Sequence, residues 1–201
     1  MGGGVEVLSG RGVGTVRLED SDPPSFQGEI VDITELILFQ HHEQRRQFAL
    51  LDEVPPDDTE TLTGLWRRLS VLLEVHAEAE ERYFYPELLR LGHGAPGSED
   101  GPEEETEDAI RDHNEIRDGI RKADAHRVGS EAWWEGVREA REANSDHMAE
   151  EEREDLADFR RHADLQTRHD IAVKFIAYEA AHWSGIKPVD KDPEEYVARN
   201  T

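Results

Sequence analysis

Two pairs of side chains in this sequence have the spacing of metal ligands. His76 and Glu80 form one His-x-x-x-Glu pair, and His147 and Glu151 form another. Residues four apart on a helix lie on the same face, one turn apart. Each pair can therefore offer an imidazole nitrogen and a carboxylate oxygen to one metal centre, and a carboxylate can also bridge two metals. The pairs predict a metal site built from at least two helices.

Histidine also interrupts the apolar stripes of the helices that the pattern predicts. The stripe containing Leu69 and Leu72 continues to His76, and the stripe beginning at Ala109 continues to His113. A single histidine on an apolar face is usually a hydrogen-bonded core residue. The same interruption on several helices indicates ligands instead, because a shared cation would offset the cost of burying the glutamates with them. We therefore predict that His76 and His113 are ligands.

The segment FQHHEQRRQF, residues 39–48, adds two adjacent histidines. Neighbours on a helix point about 100° apart, so His41 and His42 cannot face the same site. His41 shares its face with Ile37 and Phe48, whereas His42 lines up with Arg45. We predict that His41 is a ligand and that His42 lies at the surface, borders the ligands or adds to them.

The donor types limit the metal. The chain has no cysteine, which excludes disulfides, thiolate metal sites and a cysteine nucleophile. Imidazole and carboxylate donors suit iron, manganese or zinc. Four histidines and two carboxylates are too many ligands for one tetrahedral zinc ion, so two metals fit better.

Charge and composition limit the partners and the location. The chain has 201 residues, and its 23 Lys and Arg against 47 Asp and Glu give a net charge of −24. Such a surface repels phosphate backbones and anionic lipids, so we expect neither nucleic acid nor membrane as a partner. The start MGGGVEVLSG has no signal-peptide pattern, and no apolar run approaches a membrane span. We expect a cytoplasmic protein; the sequence does not specify its oligomeric state.

The period of the apolar residues places these candidates on helices. We predict helices from about Glu29 to Val54, from Asp57-Asp58-Thr59 to Pro86, from the acidic run after Pro102 through Ile120, from near Glu131 past Glu151, and at about 165–183. The predicted fold is all-α: an antiparallel four-helix bundle over residues 29–162. An irregular N-terminal segment, 1–28, precedes it, within which VGTVRLE could form a strand. A C-terminal helix and a loosely held, charged tail follow in residues 163–201.

The ordered motifs resemble the hemerythrin-like HHE cation-binding proteins. They are DITELILFQHHEQRRQF, VHAEAEERYFYPELL, RDHNEIR and DHMAEEERE, within about residues 30–160. Members of that family are four-helix bundles with a binuclear non-heme iron centre in the core. The resemblance implies two iron ions in an oxo- or hydroxo-bridged di-iron centre. Its implied ligands are His41, His76, Glu80, His113, His147 and Glu151.

The chain departs from the best-known oxygen-carrying members. They have two histidines four residues apart on the third helix, whereas Ala109 stands four residues before His113 here. They also use an aspartate on the fourth helix where this chain has Glu152. The ligand set is short by one histidine, which leaves a coordination position for water, peroxide or another side chain. We predict that Tyr85 or Tyr83 of the YFYP segment reaches or borders the metal centre.

Three functions follow as alternatives. The first is a di-iron protein that binds or senses O2, peroxide or NO, or handles iron. The second is a catalase-like enzyme that decomposes peroxide at the di-iron centre, with a nearby phenol assisting. The third is a non-catalytic helical module whose acidic face binds a basic partner.

Overall fold

A computed structural model describes residues 31–95, 97–98 and 101–201, and this part of the chain is helical with no strand. The helices are α1 Ile33–Glu53, α2 Thr59–Ala79, a π-helical segment Glu80–Phe84, α3 Tyr85–Leu91, α4 Pro102–Asp124, α5 Glu131–Arg153, α6 Asp155–His162, α7 Leu165–Ala181 and α8 Pro193–Asn200. The N-terminal segment that we predict to be irregular, including VGTVRLE, lies outside the described residues. Among the described helices, none combines the length and the apolar character that crossing a membrane requires.

Capping side chains fix where the long helices begin. The Asp58 side chain accepts a hydrogen bond from the backbone N–H of Thr61, and the Ser130 side chain accepts one from Trp133. Each bond satisfies an N–H group that has no partner within its own helix. The predicted starts of the second and fourth helices are therefore set by local chemistry that the sequence contains.

The second predicted helix does not end at Pro86. It passes through the π-helical segment, in which the N–H of Tyr85 bonds the carbonyl of Glu80 five residues back, and continues to Leu91. The widened turn accommodates Pro86 beside the first residue of α3, where its missing N–H costs little. It also returns Tyr85 toward the face of Glu80, and both side chains are fully buried. The expectation that Pro86 stops this helix was wrong for that reason.

A polar layer separates two apolar clusters in the interior. On α1, Ile37 belongs to one cluster and Phe48 to the other, with buried His41 between them. The same order recurs on α2 and α4 around His76 and His113. The stripes interrupted by histidine thus correspond to one layer through the core.

Small residues bring α4 and α5 close together. A Cβ atom on Gly119 would lie 2.4 Å from the backbone nitrogen of Ala140, and one on Gly136 would lie 2.4 Å from that of Ala123. Because the later residue of α4 meets the earlier residue of α5, these two helices run antiparallel. Their close contact brings His113 and His147 together.

The C-terminal tail is not loosely held. After α7, which matches the predicted fifth helix closely, the chain forms α8. Tyr196 and Val197 of α8 are buried against the apolar cluster that contains Phe84 and Leu88. The many charged residues of the tail led to the expectation of a loosely held segment, whereas Tyr196 and Val197 fix it to the core.

Gly119→Ala should destabilise the fold, because the new methyl group would overlap the backbone of Ala140. We expect a loss of about 1–3 kcal/mol in the free energy of unfolding, measured by urea denaturation. Gly64→Ala is the matched control: Gly64 is an exposed residue of α2, and its Cβ would meet nothing within 4 Å. It should be neutral or stabilise by up to about 1 kcal/mol. Equal effects at both positions would contradict the close packing of α4 and α5.

Candidate metal centre

Four histidines and two glutamates from different helices converge in the polar layer. We call them the histidine–glutamate cluster: His41 on α1, His76 on α2, Glu80 in the π-helical segment, His113 on α4, and His147 and Glu151 on α5. Each is at most 3 % exposed. The structure therefore brings together all six residues that the sequence and the resemblance nominate as ligands.

Glu80 lies between two groups of histidines. Its Oε1 atom is 2.8 Å from Nε2 of His76, and its Oε2 atom is 3.3 Å from Nε2 of His113. Oε2 is also 4.0 Å from Nε2 of His147. The two carboxylate oxygens thus face different histidines.

Glu151 connects the same two groups from the opposite helix. Its Oε2 atom lies 3.2 Å from Nε2 of His41 and 3.9 Å from Nε2 of His147. Its Oε1 atom accepts a hydrogen bond of 3.0 Å from the Tyr85 hydroxyl. Tyr85 therefore borders the cluster through Glu151.

Several of the facing atoms have no hydrogen-bond partner in the described part of the chain. They are Nε2 of His41 and His76, both carboxylate oxygens of Glu80, and Oε2 of Glu151. Nε2 of His76 and Oε1 of Glu80 approach to 2.8 Å, yet neither atom has a hydrogen-bond partner in the described part of the chain. Buried polar atoms without partners are costly. A pair of cations in that space would satisfy all of them.

Two sets of three donors have the spacing of a cation site. One is His41, His76 and Glu80; the other is Glu80, His113 and His147. Within each set the donor atoms lie within 4.8 Å of one another. Each set could hold a metal ion, and Glu80 belongs to both sets.

The outward nitrogen of each histidine faces an acceptor. Nδ1 of His41 lies 2.9 Å from Glu152, Nδ1 of His76 lies 2.6 Å from the side-chain oxygen of Gln40, and Nδ1 of His113 lies 2.8 Å from Glu81. Asp112 is further from Nδ1 of His147, at 3.7 Å. A proton held on Nδ1 leaves the Nε2 lone pair free for a metal, and such partners also orient the ring.

Sequence reasoning missed these four acceptors, although the sequence contains a signal for them. Gln40, Glu81, Asp112 and Glu152 are each the immediate neighbour of a residue in the histidine–glutamate cluster. A polar residue that follows or precedes a candidate ligand on one helix can reach the Nδ1 atom of a histidine on a neighbouring helix. Glu152 on α5 contacts Nδ1 of His41 on α1 in this way.

Carboxylates dominate the electrostatics of the cluster without a cation. Burial by itself lowers the pKa of His113, but the hydrogen bond to Glu81 and the attraction of the Glu80 and Glu81 carboxylates outweigh it and raise that pKa to about 9. His41 behaves alike: burial lowers its pKa, and Glu151 and Glu152 raise it to about 9. Protonated imidazoles then supply the positive charge that a metal ion would otherwise bring. Metal binding should therefore release these protons.

Glu81 ties the cluster to the C-terminal part of the chain. Its carboxylate accepts hydrogen bonds from Arg117 at 2.6 Å and from Lys191, while the Tyr196 hydroxyl donates to its backbone carbonyl at 2.5 Å. Burial alone would raise the pKa of Glu81, but His113, Arg117 and Lys191 lower it to about 2. Lys191 and α8 thus help to hold the carboxylate behind His113.

The remaining candidates lie away from the metal donors. His42 is exposed on the outer face of α1. Tyr83 is half-buried, with its ring centroid 6.0 Å from that of Tyr178 on α7. Of the two tyrosines of YFYP, only Tyr85 has a contact with the histidine–glutamate cluster among those described here.

Comparison with known proteins gives one match. A family profile described as Hemerythrin HHE cation binding domain matches residues 32–159. No curated protein and no solved structure matches the chain. The matched region contains every residue of the histidine–glutamate cluster and ends before α7 and α8 begin.

His41→Ala should remove a metal donor, whereas His42→Ala should not. The two histidines are adjacent, but His41 is fully buried in the cluster and His42 is exposed. We expect His41→Ala to lower bound metal per chain, measured by elemental analysis after metal loading, and His42→Ala to match the parent chain. Equal metal content in both variants would exclude His41 as a ligand.

Lys191→Met should weaken metal binding at a distance, because it removes a charge that holds Glu81 behind His113. Loss of such an outer partner typically lowers metal affinity by about 10–100-fold. Lys187→Met is the matched control, since Lys187 is exposed in the same connection between α7 and α8. Competition with a chromophoric chelator measures both affinities. Identical affinities would show that the Glu81 contacts do not reach the metal centre.

Proposed function

Since the chain belongs to the hemerythrin HHE cation-binding family, we propose that its histidine–glutamate cluster holds two iron ions that bind a small ligand: O2, peroxide or NO. We also propose that α1, α2, α4 and α5 form the antiparallel four-helix bundle of that family. The observation that carries the proposal is the set of buried Nε2 and carboxylate atoms that converge without hydrogen-bond partners. A cytoplasmic location stays a prediction.

The position of Glu80 supports two ions rather than one. A single ion bound by one set of three donors would leave the histidines of the other set without a metal. Two ions, one in each set, would be bound by all four histidines and by both oxygens of Glu80. Glu151 supplies a second carboxylate between the sets, at 3.2 Å from His41 and 3.9 Å from His147. Two ions therefore account for more of the buried donors than one.

The donor chemistry supports iron. The cluster offers only imidazole nitrogen and carboxylate oxygen, and the chain contains no cysteine. This donor set suits non-heme iron, and it suits manganese or zinc as well. The family resemblance favours iron among these. Bound iron would supply exchangeable coordination positions and reversible changes of oxidation state.

The protein's own residues restrict what can reach and leave such a centre. The Phe175 ring packs edge-on against His76 at 5.7 Å between centroids and excludes water from that side. Ala109 occupies the position where the oxygen-carrying relatives have a further histidine. A missing donor there favours exchange of a small ligand, and burial of all six residues of the cluster disfavours a large organic substrate.

Tyr85 favours a second candidate function, peroxide decomposition. It is fully buried, and its hydroxyl donates to Glu151 at 3.0 Å. Burial and the charges of Glu151 and Glu80 raise its pKa well above the usual range, so the phenol keeps its proton. A protonated phenol beside a metal carboxylate can supply and recover a proton during turnover of peroxide.

Purified protein loaded with iron should contain two iron ions per chain and have the absorption of an oxo-bridged pair. His76→Ala should lose most of this iron and its spectrum, because it removes a donor that lies 2.8 Å from Glu80. His126→Ala, at an exposed loop position, is the control and should retain both ions. Iron content that is unchanged in His76→Ala would mean that the metal binds elsewhere, and a metal-free chain would leave the acidic interaction module as the better account.

Tyr85→Phe should keep the iron and lose peroxide turnover, if turnover is the function. Removing one hydrogen bond to a charged group, worth roughly 1.5 kcal/mol, predicts a loss of about tenfold in the rate of oxygen evolution. Tyr83→Phe is the control, since Tyr83 is packed against Tyr178. No oxygen evolution from the parent chain would favour ligand binding or sensing over peroxide decomposition.

A further inference from the structure

An acidic cleft leads from the surface to the histidine–glutamate cluster. It lies between α4 on one side and α5 with the start of α6 on the other, and its volume is about 120 Å³. The residues that line it are Glu105, Asp108, Ala109, Asp112, His147, Glu150, Glu151, Arg153, Glu154 and Asp155. Two of these, His147 and Glu151, belong to the cluster. The cleft therefore reaches the buried residues His147 and Glu151 on one side of the centre.

Glu105 lines this cleft as a buried carboxyl group without a basic partner among the described residues. It is 7 % exposed, and its hydrogen bonds are to the backbone of Ala95 and to Asp155, whereas Oε2 of Glu151, further along the lining, has no hydrogen-bond partner in the described part of the chain. Asp155, opposite it on α6, is 4 % exposed. Burial raises the pKa of Asp155 well above its usual range, and repulsion from Glu151 and Glu105 adds to that rise. Two carboxyl groups in these surroundings lack the positive charge that would offset their burial.

Ala109 is the small apolar residue of the cleft lining. It lies four residues after Glu105 and four before His113, so all three side chains share one face of α4. A larger side chain at this position would fill part of the cleft beside His147.

The charges along the cleft favour a cation. Besides Glu151, Glu154 and Asp155, the lining contains four more acidic residues: Glu105, Asp108, Asp112 and Glu150. Its arginine, Arg153, is paired with Glu154 at 2.7 Å. A cleft lined by one sign of charge concentrates ions of the opposite sign and raises their rate of association by about 10–1,000-fold. Hard divalent cations also prefer carboxylate oxygens.

We propose that this cleft is the route by which divalent iron reaches the centre, and that Glu105 and Asp155 bind the arriving cation transiently before it passes to Glu151 and His147. The proposal rests on the proposed function, because it requires a metal centre at the end of the cleft. The transfer exchanges water and carboxylate ligands and involves no change of oxidation state. The carboxylate oxygens along the route would bind the ion more weakly than the combined imidazole and carboxylate donors at its end. This difference in affinity would favour movement of the ion toward the centre.

The rate of metal loading tests the route separately from the final site. Metal-free protein is mixed with Co²⁺, a redox-stable substitute for Fe²⁺, and the visible absorption of bound Co²⁺ is followed by stopped flow. The double variant Glu105→Gln/Asp155→Asn should load at least about tenfold more slowly than the parent chain. Its final metal content should remain that of the parent, since the donors of the cluster are unchanged.

Glu115→Gln/Asp146→Asn is the matched control. It makes the same two replacements, Glu to Gln on α4 and Asp to Asn on α5, at exposed positions that line a separate acidic groove between these helices. The control should load at nearly the parent rate. Equal slowing in both double variants would overturn the route, because general charge attraction would then explain it.

Salt dependence of the parent chain gives a second measurement that needs no substitution. Raising the ionic strength to about 1 M shortens the screening length to about 3 Å and should slow loading severalfold. A loading rate that does not change with salt would overturn the proposal. Absence of bound Co²⁺ at the end of the reaction would instead contradict the proposed metal centre, so the two failures are distinguishable.

Discussion

Burial of imidazole and carboxylate groups without hydrogen-bond partners is the constraint on which the rest of this structure depends. Nε2 of His41 and His76 and both oxygens of Glu80 lie in the core and face one another rather than donors. An isolated charge or polar atom in such a place costs several kcal/mol. Apolar clusters lie on both sides of the layer, and its histidines and glutamates are at most 3 % exposed, so the layer requires either protons or cations. Protonated imidazoles supply the first, and the donor geometry suits the second.

The local irregularities of the fold serve this layer. The π-helical segment turns Tyr85 back toward Glu80, and π turns of this kind occur often at functional sites. Gly119 and Gly136 let α4 and α5 approach closely, which places His113 Nε2 3.1 Å from His147 Nε2. Lys191, beyond the region that matches the family, reaches back to Glu81 behind His113. Support for the centre thus extends outside the part of the chain that carries the donors.

The sequence predicts the helices and the donors because both leave a periodic signal. Apolar stripes interrupted by His76 and His113 indicate which faces are buried, and His41 could be separated from His42 by its apolar neighbours alone. The continuation of the helix past Pro86 could not be predicted in this way, since a π turn depends on tertiary packing rather than on local preference. The role of Lys191 and the burial of Tyr196 were missed for a related reason: contacts between residues more than 70 positions apart leave no spacing to recognise. Domain boundaries at 28 and 162 stay predictions.

Anomalous X-ray scattering from crystals of the iron-loaded protein would test the central claim most directly, with data collected on both sides of the iron absorption edge. The account predicts two peaks roughly 3.5–4 Å apart in the polar layer. One should lie against His41 and His76 and the other against His113 and His147, with Glu80 touching both. A single peak, or peaks confined to the carboxylates of the surface, would contradict it.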